Sequence, residues 1–335
     1  KRLKMNVNLD NVKPYILSDR VISSDLTYLD WNEGSPIPKS LLDKIKSKLT
    51  DLHHYSDPSN NELKEALENH TGVDKTFIEV FNGSDSALDY TFRVLLNSND
   101  KVCIPYPNYT QVNQTITSLG CRVLNCDIST LEENIKSFKP KVVYLSVPNN
   151  PLGYVYNTLP LAEKYPNTFF IVDEAYAEYF PKCSVFDQAY KYSNVIVTRT
   201  FSKGFGLAGI RLGYLTTNSY IMNKIRSINN FKQVNTLAAI AGVEALKDFK
   251  TIQASINLTN IVKKSFLSVL KDYRIRDSHA NFVLLEHTRA KEIIEELKSS
   301  GILVRDRSKF INNTMRITIG DGSIMKKIAE IIKKY

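Results

Sequence analysis

The residues best suited to chemistry lie in one short loop, where a lysine stands between a serine and an arginine. The loop follows a predicted buried strand, contains Lys203, and reads FSKGFGLAGIR over residues 201–211. An amine beside cationic groups and apolar walls has a lowered pKa and becomes a nucleophile that forms imines. Ser202 and Arg211 carry donors for a phosphate dianion, and Arg211 donates as a two-pronged group. A solvated surface loop is the alternative to a reactive amine beside a phosphate site.

A carboxylate ends a second predicted strand, residues 169–172. Asp173 follows that strand directly and Tyr176 comes three residues later. Ligand sites of α/β sheets lie at the carboxyl ends of strands. An ionised aspartate against a pyridine nitrogen keeps it protonated, so that the ring accepts electrons from a carbanion. Tyr176 would donate to a ring hydroxyl, whereas a helix N-cap is the alternative role for Asp173.

Three more strand ends carry groups that suit a planar, phosphorylated ligand. Asn150 lies in a Pro/Gly turn and could reach a ring oxygen. Gly83 and Ser84 begin a helix whose free N–H groups could bind phosphate, and Gly83 permits close approach. Tyr109 could provide a platform for a ring. The alternatives are an ordinary turn, a serine N-cap and core packing.

Short apolar runs alternate with helical patterns from residue 77, which predicts a mostly parallel sheet of seven strands covered by helices. The predicted strands are 77–81, 101–104, 122–125, 141–146, 169–172, 194–198 and 213–216. The predicted helices between them are 84–96, 109–119, 130–138 and 186–192.

After residue 219 the pattern changes to long helices, which are predicted at 221–230, 236–246 and 251–270. A smaller α+β unit follows, with predicted strands at 281–286, 302–305 and 315–319 and predicted helices at 290–299 and 323–334. The domain boundaries that follow are an N-terminal arm over 1–34, a large domain over 35–235 and a small domain over 236–335. The arm is expected to pack on the small domain or on a partner subunit.

Composition narrows the functional class. The 335 residues are 43% apolar and carry a net charge of +9, spread without a basic tail. We therefore expect a globular protein that binds anionic metabolites and no nucleic acid. No apolar run is long enough to span a membrane, and no histidine or cysteine spacing indicates a metal site. Four scattered cysteines favour a cytoplasmic protein with reduced thiols.

Together these segments resemble the fold-type-I pyridoxal-phosphate enzymes, and most closely the histidinol-phosphate aminotransferase branch of the class I and II aminotransferases. The resemblance runs from LDWNE at residues 29–33 through HYSDP at 54–58, NNP at 149–151 and DEAY at 173–176 to MRITIG at 315–320. It implies the aspartate aminotransferase-like fold, with a seven-stranded large domain and a smaller α+β domain. It also implies a homodimer with pyridoxal 5′-phosphate as cofactor.

The resemblance assigns roles residue by residue. It makes Lys203 the lysine that forms a Schiff base with the cofactor, pairs Asp173 with the ring nitrogen, and places Asn150 and Tyr176 at the ring hydroxyl. It stacks Tyr109 on the ring. The residues that it places around the cofactor phosphate are Gly83, Ser84, Asp85, Thr200, Ser202, Arg211 and, from the partner subunit, Tyr55. Its substrate-binding residues are Arg316, which grips the α-carboxylate of glutamate, Asn32 and Tyr15.

The implied reaction moves an amino group from L-glutamate to a small phosphorylated ketone or aldehyde. Arg305, Arg307 and Tyr15 are candidates for the substrate phosphate, with surface or interface positions as the alternative. Leu152 and Ser86 depart from the usual family pattern. A decarboxylase of a phosphorylated amino acid, similar to the threonine-phosphate or serine-phosphate decarboxylases, is the alternative function. A non-catalytic binding protein is disfavoured because Lys203, Asp173 and Arg211 are all present.

Overall fold

A seven-stranded sheet carries the predicted strand ends. The computed structural model describes Leu9, Val12 and residues 22–335, so that Tyr15 lies outside the described residues. The sheet has the order β2-β8-β7-β6-β5-β3-β4; β8 runs antiparallel to β2 and β7, and the other neighbours are parallel. The predicted mostly parallel sheet of seven strands is confirmed. Its strands are β2 (Ile78–Phe81), β3 (Lys101–Pro105), β4 (Arg122–Cys126), β5 (Val142–Ser146), β6 (Phe169–Asp173), β7 (Val195–Thr200) and β8 (Gly213–Thr217).

Helices cover both faces of this sheet, as expected for parallel strands whose side chains are apolar on both sides. Val143 and Val172 face one core, which α1, α2 and α8 (Thr236–Lys247) cover. Ile171 and Ile196 face the other core, which α3, α4 and α7 cover. The helices of this part are α1 (Lys39–Ser47), α2 (Asn61–Thr71), α3 (Gly83–Leu95), α4 (Thr110–Ser118), α5 (Leu131–Phe138), α6 (Leu159–Lys164) and α7 (Ser219–Ile228).

A second sheet of five strands forms the smaller α+β part, with the order β1-β11-β12-β10-β9. Its first strand comes from the predicted N-terminal arm, because β1 pairs in parallel with β11. The chain leaves β1 directly into the segment that contains Trp31 and Asn32. The remaining strands and helices of the described chain are β1 (Thr27–Leu29), α8 (Thr236–Lys247), α9 (Phe249–Val269), β9 (Arg274–Arg276), β10 (Phe282–Glu286), α10 (Ala290–Ser299), β11 (Ile302–Asp306), β12 (Thr314–Thr318) and α11 (Gly322–Ile332).

Most predicted elements are present with ends shifted by one or two residues, but the helix predicted at 186–192 is wrong. That segment contains only a 3-10 turn, Ala189–Lys191. The chain just before it is held by the buried Glu174 carboxylate, which accepts from Val185 N at 2.6 Å and Ser184 Oγ at 2.7 Å. These hydrogen bonds hold the backbone in an irregular conformation that the helix propensity of the local sequence does not predict. The helices α1, α2 and α6 and the strands β1 and β9 were not predicted.

The predicted domain boundaries stay predictions. Helix α8, which follows the predicted boundary at residue 235, packs against α1 and α2 of the large part. The helix α9 contributes Ile256 to the core beside the large sheet and Phe266 to the core of the small sheet. Among the residues described, none of the helices is both long and apolar enough to cross a membrane.

We predict that Gly213→Ala lowers stability because β8 passes directly under the start of α3. A Cβ at Gly213 would lie 2.3 Å from Ser84 N and 2.5 Å from the Gly83 carbonyl carbon, both backbone atoms. Overpacking of this kind costs roughly 1–3 kcal/mol. Urea unfolding measures the loss. Gly322→Ala is the control, since a Cβ there meets nothing within 4 Å; equal stability of the two variants would contradict the prediction.

Candidate active site

The carboxyl ends of β5, β6 and β7 open into a cavity of about 480 Å³. Ser146, Asp173 and Thr198 are in register on these neighbouring strands and therefore point to the same face. The cavity gathers most of the predicted site. The predicted residues that line it are Ser84, Asp85, Tyr109, Asn150, Asp173, Tyr176, Thr200, Ser202, Lys203, Arg211, Arg305, Arg307 and Arg316.

Lys203 follows β7 in a loop that two buried aromatic residues anchor. The rings of Phe201 and Phe205 have centroids 4.4 Å apart, and both side chains are buried. The amine of Lys203 lines the cavity and donates to the Trp31 carbonyl at 2.7 Å. Burial and then the Arg316 guanidinium lower the pKa of Lys203 to about 8, although the carboxylates Glu33 and Asp85 raise it. A large share of this amine is therefore neutral and nucleophilic near pH 8.

Asp173 ends β6 as a buried carboxylate, 5% exposed, with three donors. Tyr144 OH donates to its Oδ2 at 2.7 Å, and Ala175 N and Thr198 Oγ1 donate to its Oδ1 at 3.2 and 3.5 Å. Burial raises the pKa of Asp173 to about 6, against the lowering effect of the Tyr144 hydrogen bond. Above that pH the group is an anion in a largely apolar setting, and it favours a cationic partner.

Tyr176 belongs to a hydrogen-bonded chain that reaches from the large sheet to the small one. Its hydroxyl accepts from Asn150 Nδ2 at 3.2 Å and Asn32 Nδ2 at 3.0 Å. Arg316 on β12 donates to Asn150 Oδ1 and to the Asp30 carbonyl, each at 2.7 Å. Burial raises the pKa of Tyr176, so the hydroxyl keeps its proton at neutral pH. That proton is directed away from the two amide donors and suits a ligand oxygen.

An anion cradle forms where the start of α3 meets Arg211. Gly83 has φ +80°, and a Cβ there would lie 2.6 Å from Arg211 Nη2. Arg211 Nη1 donates to Ser202 Oγ at 3.2 Å, and that hydroxyl lies 2.9 Å from Thr200 Oγ1. Asp85 contacts Arg211 Nη2 at 3.2 Å. Helix N–H groups, two hydroxyls and a guanidinium are the donors that a phosphate monoester requires.

Among the described residues, three of those predicted for the site do not line the cavity. Asn32 is fully buried behind Tyr176, where its Oδ1 accepts from Thr318 Oγ1 at 3.1 Å. Gly83 shapes the cradle from behind Arg211. Tyr55 is 80% exposed, and Lys232 Nζ lies 4.4 Å from its ring centroid. A contact between Tyr55 and a partner subunit's site stays a prediction.

Sequence reasoning missed several residues of the site. Trp31 and Glu33 line the cavity together with Gln111 and Ser146, and Tyr144 lies just beneath it. Tyr144 could have been found from the alternation of side chains along its strand. It lies two residues before Ser146, so both point to the same face, beside the strand that ends in Asp173. No local pattern identifies Trp31, since its contact with Lys203 is made by a backbone carbonyl from 172 residues away.

An amine of lowered pKa, a buried carboxylate and an anion cradle at the strand ends form a combination that suits an enzyme site. The family profile described as aminotransferase class I and II matches residues 25–332. The chain is 32% identical to a dihydroxyacetone phosphate transaminase of Campylobacter jejuni, over 99% of this chain and 97% of that protein. It is also 32% identical to a histidinol-phosphate aminotransferase of Clostridium novyi, over 91% and 90%.

Comparison with a solved structure supports the same family. The histidinol-phosphate aminotransferase of Sinorhizobium meliloti, in complex with pyridoxal 5′-phosphate, matches with a TM-score of 0.83 at 25% identity, over 92% of this chain and 91% of that one. The chain belongs to the class I and II aminotransferases, which are pyridoxal-phosphate-dependent enzymes. The predicted aspartate aminotransferase-like fold and histidinol-phosphate aminotransferase-like kinship are confirmed.

The residues of the cavity fit that cofactor. The cradle around Arg211 suits its phosphate, and the close approach at Gly83 leaves backbone donors accessible. Asp173 is a buried anion that lacks a cationic partner among its hydrogen-bond donors, which suits a protonated ring nitrogen. Lys203 offers an amine of lowered pKa for the aldehyde.

We predict that Asp173→Asn stabilises the cofactor-free protein at alkaline pH. The folded-state pKa of Asp173, about 6, lies above the usual aspartate value, so ionisation costs stability as pH rises from 4 to 6. A shift of about 2 pKa units corresponds to about 3 kcal/mol. The variant should therefore be about 2–3 kcal/mol more stable than the wild type at pH 8 and nearly equal to it at pH 4.

Urea unfolding at both pH values measures this difference. Asp187→Asn is the control, because Asp187 is an exposed carboxylate outside the cavity, where substitution changes stability by at most about 0.5 kcal/mol. A stability difference between Asp173→Asn and the wild type that is the same at pH 4 and pH 8 would contradict the assignment of a strained buried anion.

Proposed function

We propose that this enzyme binds pyridoxal 5′-phosphate in the cavity and transfers an amino group from L-glutamate to a small phosphorylated ketone or aldehyde. The proposal rests on the positive charge of the cavity, which is lined by Lys203 and by four arginines, Arg211, Arg305, Arg307 and Arg316. Arg211 is assigned to the cofactor phosphate and Arg316 to an α-carboxylate. Two arginines then remain for a second anionic group of the substrate.

In amino transfer, the amino donor and the amino acceptor bind to the same site in turn, and this supports the same assignment of Arg305 and Arg307. L-glutamate has a side-chain carboxylate, whereas the acceptor would carry a phosphate, and both would meet Arg305 and Arg307. The relatives named above act, by their names, on dihydroxyacetone phosphate and histidinol phosphate. A phosphorylated acceptor therefore fits both the charge of this cavity and the kinship of the chain.

Each residue has a task that follows from its position. When bound, the cofactor supplies an aldehyde that reacts with amines and a ring that accepts electrons. Lys203 Nζ, neutral in a large share near pH 8, would take the proton from the substrate Cα and deliver it to the carbon of the cofactor's aldehyde group. Asp173 would hold the ring nitrogen in its protonated form, and the Tyr176 hydroxyl would donate a hydrogen bond to the ring oxygen. Arg316, held by Asn150 and Asp30, orients the α-carboxylate.

We further propose a cytoplasmic homodimer in which Tyr55 reaches the cofactor phosphate of the partner subunit. Other apolar side chains close to this region in the sequence are also exposed: Leu52 is 62% exposed, and Phe231, which precedes the Lys232 that contacts the Tyr55 ring, is 56% exposed. Such side chains are expected to be covered in an interface. All four cysteines lie among the described residues as free thiols, which fits a reducing compartment.

We expect L-glutamate to convert the cofactor-loaded protein to its amino form and to release 2-oxoglutarate. The absorbance of the bound cofactor follows the first event, and an enzymatic assay for 2-oxoglutarate follows the second. Lys203→Ala should lose this half-reaction by at least about a thousandfold, as expected when a proton-transferring group and nucleophile is removed. If glutamate has no effect while L-threonine O-3-phosphate loses carbon dioxide, the decarboxylase alternative replaces amino transfer.

We predict that Arg307→Gln selectively weakens use of a phosphorylated acceptor. A hydrogen bond to a charged group contributes about 1.5–3 kcal/mol, so kcat/KM for dihydroxyacetone phosphate should fall roughly 10-fold to 100-fold. The value for unphosphorylated dihydroxyacetone should stay within about twofold. Arg274→Gln is the control, since the side chain of Arg274 is 82% exposed and lies outside this cavity. Equal losses with both acceptors would exclude a phosphate contact of Arg307.

A further inference from the structure

Tyr144 is a buried tyrosine without a task in the mechanism above. It lies in the middle of β5, its side chain is fully buried, and its ring packs 6.4 Å from that of Phe92. Its neighbours on this face of the sheet, Val142 and Ile171, are apolar. A phenylalanine would fill nearly the same space, so packing alone does not explain the hydroxyl. A hydroxyl in such a place costs free energy unless it is hydrogen-bonded.

The hydroxyl of Tyr144 has one partner, and that partner is the carboxylate assigned to the cofactor ring. Tyr144 OH donates to Asp173 Oδ2 at 2.7 Å, the shortest of the three hydrogen bonds to Asp173. Tyr144 lies two residues before Ser146, which is in register with Asp173, so the ring reaches diagonally across to the carboxylate. Both groups are part of regular strands, which fix their relative position.

We propose that Tyr144 is a positioning residue for amino transfer, whose hydroxyl fixes the orientation of the Asp173 carboxylate and keeps it anionic for the cofactor ring nitrogen. This inference rests on the role of Asp173 in the proposed function. Tyr144, which lies outside the cavity, would in this way set the charge of Asp173 within it.

The charges around Asp173 make this contact necessary. Burial and the Asp85 carboxylate on α3 both favour the neutral acid, whereas Tyr144, Ala175 N and Thr198 Oγ1 favour the anion. Of these three, Tyr144 has the largest lowering effect on the pKa of Asp173. The other titratable groups that interact with this pair are the phenols Tyr109 and Tyr176. Without the Tyr144 hydroxyl, the pKa of Asp173 would therefore rise from about 6 towards or above neutrality.

The test is Tyr144→Phe, studied first without cofactor. Infrared difference spectroscopy follows the protonation of the Asp173 carboxyl group, whose band is identified by its loss in Asp173→Asn. We expect the titration midpoint to rise by about one to two pH units, the shift that corresponds to one hydrogen bond to a charged group. Tyr214→Phe is the matched control, since Tyr214 is also a fully buried tyrosine of this sheet but faces the other core; its midpoint should equal that of the wild type.

Affinity for pyridoxal 5′-phosphate provides the second measurement. In Tyr144→Phe the Kd at pH 7 should rise roughly twofold to tenfold, and the difference from the wild type should shrink at pH 9, where Asp173 is ionised in both proteins. A tyrosine that only packs would not produce this pH dependence. An unchanged titration midpoint, or a Kd ratio that is the same at pH 7 and pH 9, overturns the proposal.

These outcomes are separable from failure of the proposed function. If the wild type and Asp173→Asn bind the cofactor equally well, the role of Asp173 is wrong, and the positioning role of Tyr144 falls with it. If the cofactor binds but glutamate does not react, amino transfer from glutamate is wrong. The shifted titration midpoint of Tyr144→Phe would still establish that Tyr144 controls the charge of Asp173.

Discussion

Burial of one carboxylate at the end of β6 is the constraint on which the site depends. Asp173 is 5% exposed and ionised above pH 6, and the desolvation of this charge lowers the stability of the folded protein. The fold itself does not need a charge at this position. Three donors reduce this cost without removing it. In the proposed function this remaining cost is useful, because a cationic ring nitrogen gains most where an anion is least solvated. The strands that hold Asp173 in place would then also set the electronic environment of the cofactor.

Positive charge dominates the rest of the cavity. Lys203 and four arginines line it together with the carboxylates Glu33, Asp85 and Asp173. Burial and then the positive charge of Arg316 lower the pKa of Lys203, and in the proposed function the same positive charge would attract anionic substrates. Asp85 is paired with Arg211, which keeps that guanidinium in place beside the cradle. This balance explains how a cavity with many cations remains compatible with a folded protein.

The sequence predicted the parts of the site that depend on strand ends and missed those that depend on distant contacts. Lys203, Asp173 and Asn150 follow apolar strands, and the carboxyl ends of parallel strands meet at one edge of a sheet. Asn32 was expected in the substrate site, yet it lies behind Tyr176, because β1 joins the small sheet and brings the segment in from that side. The failed helix at 186–192 has the same origin, since the bonds of Glu174 override local propensity.

The two sheets meet at the site through hydrogen bonds between side chains that neither sheet would position alone. Arg316 on β12 reaches Asn150 after β5, and Asn32 after β1 reaches Tyr176 after β6. The groups that would bind a substrate carboxylate and those that would contact the cofactor ring therefore share two amide side chains. A substitution in the small sheet that shifts Arg316 must also disturb Asn150, and through it the hydroxyl of Tyr176. Substrate binding and the chemistry of the ring are coupled in this fold by direct contact.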